Sequence, residues 1–160
     1  MTVTSQEIIT SVEKNHTLST NEADWRGVCS RSYYAIYEDG KAFHEKLPSP
    51  GTLRAESKGG MHRDLIEQLC KPSLKRVDPD FLRSMKIGYL MKTLHDQRIK
   101  SDYFRAQAIA RIDADNCIAQ AKGVLIALDD MPVPAVQVEQ DTLPPPMSER
   151  GSRPTLTRIK

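Results

Sequence analysis

Apolar residues recur at three- and four-residue steps through most of positions 1–128, the spacing of amphipathic helices rather than of strands. Residues 5 to 16 read as a first helix, with Ser5 as cap and Ile8, Ile9 and Val12 on one face. Ser19 and Glu22 have capping-box spacing, which places the start of a second helix near Thr20. That helix carries the clearest stripe: Trp25, Val28, Cys29, Ser32, Ile36, Phe43 and Leu47. Gly40 interrupts it, at a cost of about 1 kcal/mol relative to Ala, and Pro48 and Pro50 end it. Residues 49–60 have the composition of a loop. A third helix is expected over 60–70, with Met61, Leu65, Ile66 and Leu69 inward and Pro72 beyond its end.

Asp78-Pro79 combines an N-cap with a proline suited to the first turn, so a fourth helix opens there. It is expected to reach about Gln97, turning Phe81, Leu82, Met85, Tyr89, Leu90 and Leu94 inward. A connector at 98–102 then leads to a long fifth helix. Its inner face would hold Ala106, Ile109, Ala110, Cys117, Ala121, Val124, Leu125 and Leu128, many of them small enough for close helix approach. From 129 onward prolines recur and large apolar residues thin out. The fold class is therefore all-α: an antiparallel up-and-down bundle of four to five helices over 1–128, followed by a disordered, proline-rich tail over 129–160.

Composition narrows the function classes. The 160 residues have a net charge of +2, so any nucleic-acid contact needs a local basic patch. No run approaches the roughly 18 apolar residues of a membrane helix, and the N-terminus lacks a signal-peptide layout; a cytoplasmic protein without a membrane partner is expected. Cys29, Cys70 and Cys117 are odd in number and include no C-x-x-C pair, which argues for buried thiols rather than a disulfide framework or a zinc site. Phosphate-loop, dinucleotide, zinc-protease and nucleophile-elbow motifs are missing, so no cofactor or metal is expected and a metabolic enzyme has no anchor.

Two segments carry candidate chemistry. In Ser30-Arg31-Ser32-Tyr33-Tyr34-Ala35-Ile36-Tyr37, helical geometry puts Tyr33 and Tyr37 together and Tyr34 about 100° away. Core packing with hydroxyls reaching the surface is the plain reading. A polar cleft receiving Arg31 and a tyrosine hydroxyl is the sharper one. In the segment from Leu94 to Tyr103, Arg98, Lys100 and Arg105 form a positive cluster. Placed beside the start of the last helix, it would favour anions, with Asp102 capping that helix or pairing with an arginine.

The succession SRSYYAIY, then GGMH opening a later helix, then LHDQRIKSDYF before an Ala-rich helix resembles the HEPN family over roughly residues 21–128. The branch it is most similar to has R-x-x-x-D-Y at the start of its last helix, here Arg98, Asp102 and Tyr103. The resemblance implies a helical bundle that pairs into a homodimer. It also implies RNA as ligand, a toxin–antitoxin or antiviral setting, and an antitoxin or defence-system subunit as protein partner. Many members are metal-independent endoribonucleases with an R-x(4–6)-H motif, in which arginine neutralises the scissile phosphate and histidine moves protons.

No histidine follows Arg98 at that spacing, so the motif is degenerate; His95, one turn earlier, and His62 are the substitutes. The candidate catalytic set is thus Arg98, His62 and His95, and the candidate RNA-binding set is Arg31, Tyr34, Lys100, Asp102, Tyr103 and Arg105. His16 and His44 fall at a helix end and on a charged face. The competing reading is a non-enzymatic dimeric interaction module that uses the bundle surface and the segment around Pro144-Pro145-Pro146.

Overall fold

The computed structural model describes residues 3–54, 56 and 59–129. Among these the chain forms five helices and no strand: α1 (Ser5–Leu18), α2 (Glu22–Glu45), α3 (Gly60–Cys70), α4 (Pro79–Tyr103) and α5 (Arg111–Asp129). The all-α bundle read from the sequence is the fold. The segment expected to be a tail lies outside the described residues beyond Asp129.

Helix starts follow local chemistry, displaced slightly from expectation. Thr4, not Ser5, caps α1, and it forms a reciprocal capping box with Glu7. Asn21 caps α2 by accepting from the Asp24 amide; Glu22, expected in a box with Ser19, instead faces Arg26. Asp78 and Pro79 open α4 as expected.

The larger departure is at the other end of α4. The helix continues through Arg98–Asp102, the stretch expected to connect, and stops at Tyr103. Arg98 and Asp102 are one turn apart and pair within the helix, which favours its continuation. The break falls at 104–110, and Asp113, not Asp102, accepts from the Ala110 amide at the start of α5. Ala106 and Ala110, expected on the inner face of a helix, are exposed in this connector, whereas Ile109 is buried. Arg26 holds the connector in place. Its guanidinium donates to the carbonyls of Ser101 (2.8 Å) and Gln107 (2.6 Å), while Glu22 accepts from Arg26 and from the Ile109 amide.

Helices α2, α4 and α5 pack against one another, with α1 laid on α2 and α5 and α3 on α4. Gly40 meets Met91 and Ser30 meets Asp102, so α2 and α4 run antiparallel. Leu90 faces Gly123 and Arg83 reaches the carbonyls of Ala127 and Leu128, so α4 and α5 do too. His62 meets Tyr33 and Gln68 meets His44, which sets α3 alongside α2 in the same direction. Cys29 and Cys117 are both buried, one on α2 and one on α5, and the neighbouring Cys29 thiol together with burial pushes the Cys117 thiol up. Cys70 differs from both in being only half-buried.

The buried face of α4 is another correction. Ile87, Met91 and Leu94 point inward beside Ser84, Gly88 and Ser101, whereas Leu82 and Tyr89 are exposed. This helix has apolar residues on two sides, and close approach selects between them. A Cβ on Gly88 would lie 2.6 Å from the Cys70 amide nitrogen, so α3 sits directly on the backbone of α4. Ser84 secures the contact by donating to the Leu69 carbonyl at 2.9 Å. Met61, expected inward, is exposed on α3, while Leu65, Ile66 and Leu69 are buried.

Gly88→Ala should lower stability by about 1–3 kcal/mol through overpacking, despite alanine's better helix propensity. Gly27→Ala, where an added Cβ meets nothing within 4 Å, should raise it by about 0.5–1 kcal/mol. Urea unfolding of the two variants should show opposite signs.

Candidate functional site

Tyr33 anchors the site. It is fully buried on α2, and its ring packs against Tyr37 of its own helix, His62 of α3 and His95 of α4. Three helices thus deliver aromatic and imidazole groups to one place. Tyr33 Oη lies 2.8 Å from His62 Nδ1, a hydrogen bond in which either group can donate. Burial raises the Tyr33 hydroxyl above its ordinary range, so it stays protonated. His62 stacks on Tyr37 with centroids 4.0 Å apart, and its ring lies 6.2 Å from that of His95 at an interplanar angle of 20°.

Arg98 stands beside this cluster, three residues after His95 and so about one turn along α4. Its guanidinium carbon sits 5.1 Å from both the Tyr34 and Tyr103 ring centroids. Nη2 donates to the Tyr34 hydroxyl and, at 3.4 Å, to the Tyr103 hydroxyl. Nε lies 2.8 Å from Asp102 Oδ2 in an ion pair; its N–H is misdirected for a hydrogen bond and has no such partner. Among the described residues Nη1 makes no hydrogen bond. Burial works against the charge on Arg98, but Tyr34, Tyr103 and Asp102 outweigh it, and the group stays cationic.

Both imidazoles are pushed the other way. Burial, then the positive charge of Arg98, lowers His62 below its ordinary value. Burial is also the largest cause lowering His95, with His62 and Arg98 adding to it against Asp96. At neutral pH the site therefore presents one fixed cation and two neutral rings.

Of the residues singled out from the sequence, Arg98, His62, His95, Tyr34, Asp102 and Tyr103 come together. Arg31 does not: it is exposed on the side of α2 that faces α1, near Asn15 and Leu18. Lys100 and Arg105 present carbonyls to Arg26, and their side chains make no hydrogen bond or ion pair with the cluster among the described residues. Arg98 and Lys100 sit in the C-terminal turns of α4, not beside a helix N-terminus, so the expected helix-end attraction for anions is not available there. Asp102 pairs with Arg98 rather than capping α5.

Sequence reasoning missed Tyr33 and Tyr37 as supports of His62. The signal was their spacing, which put both on one face, but nothing local shows that α3 would bring a histidine to them. His44, expected on a charged face, is buried and bonded to Gln68; His16 is buried and bonded to Asp115. Among the described residues no group of three or more His, Cys, Asp or Glu side chains is placed to hold a metal ion, and no helix is long and apolar enough to cross a membrane. No family model, curated protein or solved structure matches the chain.

The lowered imidazoles tie stability to pH. The unfolded chain takes up their protons first as pH falls. The stability they confer is therefore full above about 6.5 and is lost as pH drops from there through the lowered folded values. Thermal melts from pH 7.5 to 5 should show the wild type losing more stability than the His62→Asn/His95→Asn double variant. Parallel curves would mean that neither ring is held neutral by the fold.

Proposed function

We propose that the chain is a HEPN-like RNA-associated protein of a toxin–antitoxin or antiviral defence system. In this reading it works in the cytoplasm as a homodimer, with an antitoxin or defence-system subunit as protein partner, and cleaves RNA without metal. The observation that carries the reading is the convergence of His62 and His95, from different helices, beside Arg98. The histidine that the sequence motif lacks is offset by one supplied from α3.

The roles follow from the chemistry of each group. Asp102 occupies the Nε side of Arg98, so a phosphate would approach the Nη1 side. Tyr34 and Tyr103 are half-exposed or more, and offer faces on which bases can stack. With Nδ1–H donating to Tyr33 Oη, His62 Nε2 is left as an acceptor for the proton of an RNA 2′-hydroxyl. The 2′-oxygen then bonds to phosphorus as the bond from phosphorus to O5′ breaks. The minority imidazolium form of His95 protonates the departing O5′, leaving a 2′,3′-cyclic phosphate and a 5′-hydroxyl. Because this scheme needs one neutral and one protonated ring, both with lowered values, the rate should peak on the acid side of pH 6.5.

A second reading, a non-enzymatic interaction module, is favoured by Leu82 and Tyr89, which are 70% and 55% exposed on α4. The tail assigned to that role lies outside the described residues.

Incubation of the purified chain with total RNA in a chelator separates the two. Cleavage to cyclic-phosphate ends should fall by at least about 100-fold in Arg98→Ala and in His62→Ala, the scale for losing a positioned proton carrier or charge clamp. Equal products from wild type and both variants, or none from any, would leave the interaction module.

A further inference from the structure

Beside the candidate site, α3 and α4 enclose a groove of about 760 Å³, within the usual size of ligand pockets (roughly 300–1,000 Å³). Towards one end lies His95, whose ring belongs to the cluster described above; towards the other stands Tyr89, 55% exposed. The groove therefore leads directly away from the reacting groups. Its floor is apolar, from Ile66 and Ile99, and its walls carry Arg63, Lys71 and Lys92. Arg63 pairs with Glu67 and Lys92 with Asp96, so two of the three cations are balanced. Lys71 has no ion pair among the described residues and leaves the groove with a net positive charge. An exposed aromatic face, an apolar floor and an unbalanced cation together match a nucleotide, which has a π face to stack and a phosphate to neutralise. A purely apolar ligand would leave Lys71 unanswered, and a free anion would leave Tyr89 and the floor unused.

We infer that this groove is a subsite for single-stranded RNA, in which a nucleotide flanking the phosphate at Arg98 stacks on Tyr89 while its backbone passes Lys71 and Lys92. The inference rests on the RNA reading of the Arg98 site and extends it: one strand spans both, with His95 at their junction. Recognition by stacking is tolerant of base identity, so the subsite sets the minimum length of substrate rather than its sequence.

The half-buried Cys70 lines the same groove and is a native reporter, because the other two cysteines are buried. Burial raises its thiol, so alkylation by iodoacetamide is followed at mildly alkaline pH. The probe is a 2′-O-methyl hexauridylate, which cannot be cleaved through its own 2′-oxygen, added to the full chain without divalent metal. It should slow alkylation of Cys70. Its affinity should fall about 5- to 100-fold in Tyr89→Ala, the range for one lost stacked base, and Lys71→Gln should reduce the log–log salt slope by about 0.7. Oligonucleotide binding that leaves Cys70 alkylation unchanged and is indifferent to Tyr89→Ala overturns the subsite, as does failure to bind. Protection of Cys70 that grows with protein concentration alone would assign the groove to a second copy of the chain and also overturn it. Cleavage of RNA with no groove binding would leave the Arg98 site standing without the subsite. Groove binding with no cleavage would leave the subsite standing without the nuclease.

Discussion

The absence of a side chain at residue 88 lets α3 settle on the backbone of α4, and most of what is distinctive here depends on that contact. A Cβ at Gly88 would overlap the main chain of Leu69 and Cys70, and the Ser84 hydroxyl closes the same contact with a hydrogen bond to Leu69. Seated this way, α3 runs antiparallel to α4. Its first turn, roughly 10 Å from its last by helix rise, then falls opposite His95 and Arg98. That seating is what lets His62 lie over Tyr37 and bond to Tyr33. The same seating leaves the outer faces of α3 and α4 diverging into the groove. Site and groove are two consequences of one close approach.

Much of this architecture was legible in the sequence, because binary patterning and caps are local signals. The stripe through Val28, Cys29, Ser32 and Ile36 is buried as read, and α3 has the bounds expected of it. What failed were choices that local signals leave degenerate. Helix α4 is apolar on two sides, and only its neighbours decide that Ile87 and Met91 go in while Leu82 and Tyr89 stay out. Its end was misplaced because Arg98 and Asp102 look like a polar break yet form an i,i+4 pair that suits a helix. At the site, Arg98, Tyr34, Asp102 and Tyr103 were legible as a set, since all but Tyr34 lie within two turns of one helix. That His62 belonged with them depends on where α3 is seated against α2 and α4, which no periodicity encodes. Arg31 stands apart from the cluster although it is only one turn from Tyr34 on α2, because its side of the helix turns towards α1, beside Asn15 and Leu18.

The electrostatics of the cluster are asymmetric in a useful way. Burial disfavours charge on every group in it, yet Arg98 has close partners that answer its charge, a carboxylate on one edge and two tyrosine faces and hydroxyls around it, whereas the nearest carboxylate to either imidazole is Asp96, 4.0 Å from His95. The imidazoles have no comparable partner and yield their protons. One cation is thereby fixed while two neighbouring rings stay neutral at pH 7 and take up protons only on the acid side of the ordinary histidine value. A site that only bound anions would gain from cationic histidines; neutral rings next to a permanent guanidinium suit proton transfer next to a held phosphate. This contrast weighs more for a reactive site than the presence of the residues themselves.

The connector after α4 bears on the same balance. Tyr103 can flank Arg98 because α4 continues one turn past it, and that last turn has carbonyls that α5 does not satisfy. Arg26 supplies the donors, to Ser101 and onward to Gln107, and Glu22 neutralises Arg26 while receiving the Ile109 amide. The first turns of α2 thus hold the end of α4, and Ser30, one turn beyond Arg26, hydrogen-bonds Asp102. Helix α2 therefore positions Arg98 twice: through Tyr34, which contacts it directly, and through the latch that keeps Tyr103 and Asp102 in helical register. A helix that supplies the buried tyrosines, caps its neighbour's end and flanks the guanidinium carries the cluster's geometry even though His62, His95 and Arg98 lie on α3 and α4.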